Sequence, residues 1–189
     1  MPRTPETVEV GSREEWRAWL AEHHQQKEGI LLVAYRKGTS ERYIPYEEIV
    51  EEALCFGWID STRRKLDDER TTLLVTPRKP NSGWSQVNKE RVERLIQAGR
   101  VTPMGLAVIE RAKANGSWTR FDDATALKVP EDLSEALASQ PSAEANFNAF
   151  PPSSRRVMLQ WVFDAKRPET RSARVREIVK KAAKGERAR

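Results

Sequence analysis

Three stretches of this chain concentrate residue types that can bind or convert a ligand. The first is Ala53–Leu54–Cys55–Phe56–Gly57–Trp58–Ile59–Asp60–Ser61. Strand alternation sets Phe56, Trp58 and Asp60 on one side, and a carboxylate beside large aromatics loses water and holds its proton more tightly. Such a group suits acid–base work, or equally a pairing with Arg63, Arg64 or Arg78. The second stretch runs from Thr76 to Asn88. Ser82 and Ser85 are helix-capping types, and the free N–H groups of a helix start bind anions. Arg78 and Lys79 add charge, and Trp84 adds a flat surface. The candidate ligand site is therefore Trp58, Asp60, Arg78, Ser82, Trp84, Ser85 and Asn88, and it suits a small anion.

The third stretch holds Ser154–Arg155–Arg156, Trp161 and Lys166–Arg167–Pro168–Glu169–Thr170–Arg171. Val157, Trp161 and Val162 read as buried packing. Arg155, Arg156, Lys166, Arg167, Arg171, Arg174 and Lys181 are candidates for gripping nucleic-acid phosphates, or for a salt-bridge network within the chain. Residues 151–189 hold 12 Lys and Arg against 4 Asp and Glu, a net +8 in a chain of net +5. The basicity belongs to the C-terminal fifth, and a local basic surface attracts phosphates and acidic partners.

Other chemistries lack their residues. His23 and His24 are adjacent, and helix neighbours do not share a face, so no metal site is expected. A single cysteine, Cys55, excludes an internal disulfide; it reads as a buried thiol, with a Cys–His dyad as the reactive alternative. Phosphate-loop, dinucleotide and nucleophile-elbow fingerprints are absent, so no cofactor is expected and catalytic residues stay unassigned. Met1 to Gly11 has no apolar export-signal core, and no apolar run nears the roughly 18 residues of a membrane span. A cytoplasmic location is the expectation.

The elements that must position these residues follow from periodicity. Thr7–Val10 reads as a strand. Ser12 and Glu15 form a capping box ahead of a helix over about 12–27, carried by Trp16, Trp19 and Leu20. Ile30–Lys37 reads as a strand, with Arg42–Ile44 as a short return partner. A helix follows Pro45 and stops at Gly57. Trp58–Leu66 and Thr71–Thr76 form a hairpin around Asp67–Asp68–Glu69. Helices are expected near 85–98, 103–114, 131–139, 142–149, 153–165 and 169–184. The fold class is α+β: a small antiparallel or mixed sheet with helices, then a helical C-terminal half. The domain reading is 1–125 for the α+β core and 126–189 for the helical part with its basic end. Antiparallel pairing in the hairpin brings Asp60 toward Thr76, so Asp60, Arg78, Trp84 and Ser85 are expected to share one concave surface.

These stretches together resemble the bacterial YdeI/OmpD-associated, or bacteriocin-protection, family. The resemblance rests on Glu52–Ala53–Leu54–Cys55–Phe56–Gly57–Trp58–Ile59–Asp60–Ser61, on Thr76–Pro77–Arg78 with Ser82, Trp84, Ser85 and Asn88, and on Trp161 followed by Ala165 to Arg171. It implies no reaction; the label implies envelope stress resistance or association with a porin. The functional expectation is a non-catalytic stress-protection or binding protein. The alternatives are nucleic-acid binding through the basic C-terminal helices, and an enzyme using Asp60 as acid–base with Arg78 holding an anion.

Overall fold

The computed structural model describes residues 5–189; residues 1–4, part of the stretch inspected for an export signal, lie outside the described residues. The chain divides into two units. One takes in the chain up to Ser82 together with Val87–Ser117, and the other comprises Gly83–Gln86 and Trp118–Arg189.

The first unit is built from β1 (Glu6–Glu9), α1 (Arg13–His23), β2 (Ile30–Tyr35), α2 (Tyr46–Cys55), β3 (Trp58–Lys65), β4 (Arg70–Pro77), most of α3 (Gln86–Gln97) and α4 (Pro103–Ala114). The sheet order is β1-β2-β4-β3. β1 runs parallel to β2, and the other pairs are antiparallel, so the sheet is mixed. Ile30, Leu32 and Ala34 of β2 and Leu73 and Val75 of β4 alternate along their strands. They join Trp16 and Leu20 of α1 and Ile49 and Ala53 of α2 in one core.

The capping box forms with a variation. Ser12 Oγ accepts from the Glu15 amide at 3.1 Å, while Glu15 reaches back to the Gly11 amide at 2.7 Å, one residue earlier than the usual box. The helix is shorter than its apolar periodicity suggested. It ends at His23, where the Trp58 indole N–H donates to the His24 carbonyl at 3.1 Å and satisfies a group the terminus leaves open. The expected return strand at Arg42–Ile44 is instead irregular loop. β2 already has β1 on one side and β4 on the other, so no edge remains for it. The Arg42 guanidinium instead donates to Glu9 Oε1 at 3.0 Å.

One carboxylate joins the helices of this unit. Glu52 is wholly buried. Its Oε1 accepts from Arg13 Nε at 2.6 Å and from Arg100, and its Oε2 accepts from Arg17 at 2.6 Å. Burial alone would raise its pKa. The arginine hydrogen bonds and charges outweigh that and hold it below the ordinary carboxylate value.

The second unit is helical: α5 (Asp122–Thr125), α6 (Glu131–Ala138), α7 (Pro141–Ala149), α8 (Pro152–Phe163) and α9 (Pro168–Ala182). Pro141, Pro152 and Pro168 each open a helix, where a missing N–H costs nothing. Leu133, Leu137, Phe147, Met158, Leu159 and Ile178 lie in its core. Val157 is 46% exposed, contrary to the expected burial, because α8 turns Met158, Leu159 and Val162 inward instead. α5 is a single turn, too short to leave a periodic signal.

Replacing Ser12 by Ala should cost about 1 kcal/mol in urea denaturation, through the lost cap bond. Glu52→Ala should cost about 3–5 kcal/mol, because three guanidinium groups lose a buried partner. The pH dependence has a definite sign. A carboxyl with a lowered folded pKa contributes fully above its unfolded value of about 4.3 and loses that contribution as pH falls through the folded one. Stability of Glu52→Gln should therefore fall less steeply below about pH 4.3 than that of the wild type.

Candidate functional site

The site is organised by the junction between α2 and β3. Gly57 sits there with φ at +78°, a conformation that glycine adopts without strain. A Cβ at this position would lie 2.7 Å from Val108 Cγ2, so α4 approaches the turn closely. The Gly57 carbonyl accepts from the Arg78 amide at 3.0 Å, which carries the pairing one step past the last ladder pair, Trp58 with Pro77. Trp58 and Arg78 are thereby fixed side by side at one end of the sheet.

A cleft of about 1030 Å³ opens at this end. Trp58, Phe56, Leu74, Met104 and Val108 supply apolar wall. Leu74 and Thr76 face it because their neighbours Leu73 and Val75 belong to the core. Lys27, Arg78, Lys79 and Arg111 also line it, with His24. No Asp or Glu occurs among the described residues of the lining. The arrangement is an apolar pocket with positive charge, able to hold an organic anion.

Arg78 is only 6% exposed. Burial pushes its guanidinium down to about 10, and the charge of Asp60 pulls it partly back. It remains charged at neutral pH. Asp60 accepts from the Tyr46 hydroxyl at 2.5 Å. Partial burial first, and that bond to Asp60 second, push the Tyr46 phenol up to about 12. Asp60 pairs with Val75 in the ladder, with Ile59 opposite Thr76 and a register shift following Asp60.

The remaining candidate residues are dispersed. Ser82 belongs to the first unit, where its amide donates to Lys79 O at 3.0 Å. Asn88 accepts from Arg91 at 2.8 Å on α3. Trp84 and Ser85 lie in the short segment assigned to the second unit. The Trp84 ring is buried there against Trp118, with centroids 4.9 Å apart. Of the seven candidates, Trp58 and Arg78 line the cleft. Sequence reasoning missed Met104, Val108 and Arg111 as lining residues. Their spacing of four and three along α4 marks one helix face and was the available signal.

Cys55 is buried, and burial first, with Glu52's charge second, pushes its thiol up to about 11. It is neutral at ordinary pH and therefore a poor nucleophile. His23 and His24 each place Nδ1 against a carbonyl of α1, at 2.8 Å from Trp19 O and 3.0 Å from Ala21 O. Among the described residues, no group of three or more His, Cys, Asp or Glu is placed to hold a metal ion.

In the second unit, several candidate cations are engaged internally. Arg171 binds Asp132 through two bonds of 2.6 and 2.8 Å. Arg174 donates to the Trp161 carbonyl at 2.5 Å and lies over that indole. Lys181 pairs with Glu186 at 2.7 Å. Arg156, Lys166 and Arg167 are exposed, while Arg155 is half-buried. No helix among the described residues is long and apolar enough to cross a membrane.

Fold and cleft together define an α+β protein whose sheet-bearing unit carries a cationic, apolar-walled pocket and whose second unit is helical. Residues 8–108 match the family model described as Domain of unknown function (DUF8412), more than half of the chain, and the chain belongs to that family. Residues 126–185 match the model described as Bacteriocin-protection, YdeI or OmpD-Associated. The Trp161–Arg171 stretch falls in the second match and the two N-terminal stretches in the first. No curated protein and no solved structure matches the chain.

Gly57→Ala should destabilise the first unit by more than about 1 kcal/mol, since a side chain is strained at positive φ and here meets Val108. Thermal unfolding checks this; an unchanged midpoint would contradict the close approach.

Proposed function

We propose that the chain is a non-catalytic binding protein whose first unit takes a small organic anion, with its apolar part against Trp58 and Met104 and its charge toward Arg78. The observation that carries this reading is the cleft itself: four Lys and Arg side chains and no carboxylate among the described residues of the lining, beside an aromatic wall. Arg78 is largely buried, so little side-chain order remains to be imposed when a ligand arrives. A role in stress protection is proposed with it, from the likeness of residues 126–185 to the Bacteriocin-protection, YdeI or OmpD-Associated family.

The enzymatic alternative, with Asp60 as acid–base, has less support, because Asp60 is not among the residues lining the cleft. Nucleic-acid binding by the C-terminal helices rests on Arg156, Lys166 and Arg167, since Arg171 is bound by two bonds to Asp132 and Arg174 by the Trp161 carbonyl.

Anilinonaphthalene sulfonate, an aromatic anion, is a suitable probe. The folded wild type should bind it saturably, with quenching of tryptophan fluorescence. Lys79→Gln with Arg111→Gln, both exposed positions, should weaken binding about tenfold with no change in near-UV circular dichroism, the loss of roughly 1.4 kcal/mol. Arg78→Ala should abolish binding. Absence of saturable binding to the folded wild type would sink the proposal, as would equal affinity in the double variant.

A further inference from the structure

The opposite end of the same sheet carries a second basic feature, separate from the cleft and from the C-terminal helices. An open groove of about 540 Å³ is lined by Arg36, Lys37, Tyr43, Arg63, Lys65 and Thr71. β4 connects the two ends: Thr71 lies in the groove and Thr76 in the cleft.

The ladder explains how the groove arises. Arg63 lies opposite Leu73, and Lys65 opposite Thr71. Opposed residues share a face, so Arg63 and Lys65 point to the side on which Leu73 and Val75 enter the core. Past the end of that core, the edge strand therefore carries cations where an apolar residue would continue it. The chain after β2 brings Arg36 and Lys37 to the same place, and the loop that follows adds Tyr43. Arg63 is braced by two contacts of 3.2 Å to Thr71 Oγ1 and lies over the Tyr46 ring. Arg36 donates to the Asp68 carbonyl at 3.0 Å. Lys65 pairs with the exposed carboxylate of Asp68 at 2.5 Å. No Asp or Glu lines the groove among the described residues.

Charges on an edge strand also deter edge-to-edge pairing. That role needs only the cations of β3. It does not account for Arg36 and Lys37, which extend from a strand with neighbours on both sides. The four cations are exposed along an open groove, and a strand of linked phosphates meets such a row better than a single enclosed anion does. The partly buried Tyr43 in its lining offers a stacking surface for a base.

We propose that this groove binds the phosphate backbone of a single-stranded nucleic acid, with Arg36, Lys37, Arg63 and Lys65 neutralising phosphates and Tyr43 stacking a base. The site is independent of the cleft.

The test is fluorescence anisotropy of a labelled short single-stranded oligonucleotide, as DNA and as RNA, titrated with the full chain at several salt concentrations. With four phosphates neutralised, log affinity should fall against log salt with a slope of about −2.8. Lys37→Gln with Lys65→Gln should reduce the slope magnitude by about 1.4, with an unchanged far-UV spectrum and melting temperature. Lys79→Gln with Arg111→Gln should leave the slope as it is, and so should Arg176→Gln with Lys180→Gln on α9. Three results would overturn the proposal: no binding at low salt, a slope lost in the α9 pair and kept in the groove pair, or full displacement of the oligonucleotide by equimolar tripolyphosphate, which would assign the groove to free polyphosphate.

Discussion

The fully buried carboxylate of Glu52, shared by Arg13, Arg17 and Arg100, fixes the frame on which the first unit depends. Arg13 and Arg17 come from α1, Glu52 from α2, and Arg100 from the connection between α3 and α4. An isolated buried charge is untenable; here it is offset because each carboxylate oxygen accepts at least one guanidinium hydrogen bond. Such clusters contribute little net stability compared with a well-packed apolar equivalent, but their partners cannot be removed singly without large cost. What the cluster supplies is placement. It sets α1 against α2, and α2 ends at the Gly57 turn from which Trp58 and Arg78 take their positions.

Much of the first unit was legible in the sequence because its signals are local. The Ser12–Glu15 box, Pro45 ahead of α2, Gly57 after it and the acidic turn before β4 each announce an element within a few residues. The Glu52 cluster was not legible, since its partners lie 39, 35 and 48 residues away in the chain. The Arg42–Ile44 segment failed for a related reason. Its residues permit a strand, and only the sheet order shows that both edges of β2 are taken. Trp84 shows how packing competes with a surface role for the same side chain. Its place between a strand end and a helix start suggested a stacking surface beside the site, and the large apolar indole is buried in packing with Trp118.

Charge is distributed in the first unit differently from what its totals suggest. The first unit holds 19 Lys and Arg against 18 Asp and Glu, nearly balanced, yet two concavities at its sheet are lined by cations, with no Asp or Glu among the described residues of either lining. The acidic residues are spent elsewhere: Glu52 inside, Glu47 on Arg91, and Glu9 on Arg42 and Arg70. A net charge summed over the sequence conceals this segregation, while the potential in a concave site depends on the nearest groups.

The segment Gly83–Gln86 has a consequence for how the chain can be made and cut. It belongs to the second unit, but the chain then re-enters the first before Trp118 begins the rest. During synthesis from the N-terminus, Trp84 leaves the ribosome well before the indole that packs against it. Until Trp118 follows, a large apolar ring waits for the indole it packs against. A fragment ending at Ser117 would carry the complete sheet, and Trp84 without the Trp118 ring. The two units are thus separable as bodies of contacts, but no single cut between residues yields both of them whole.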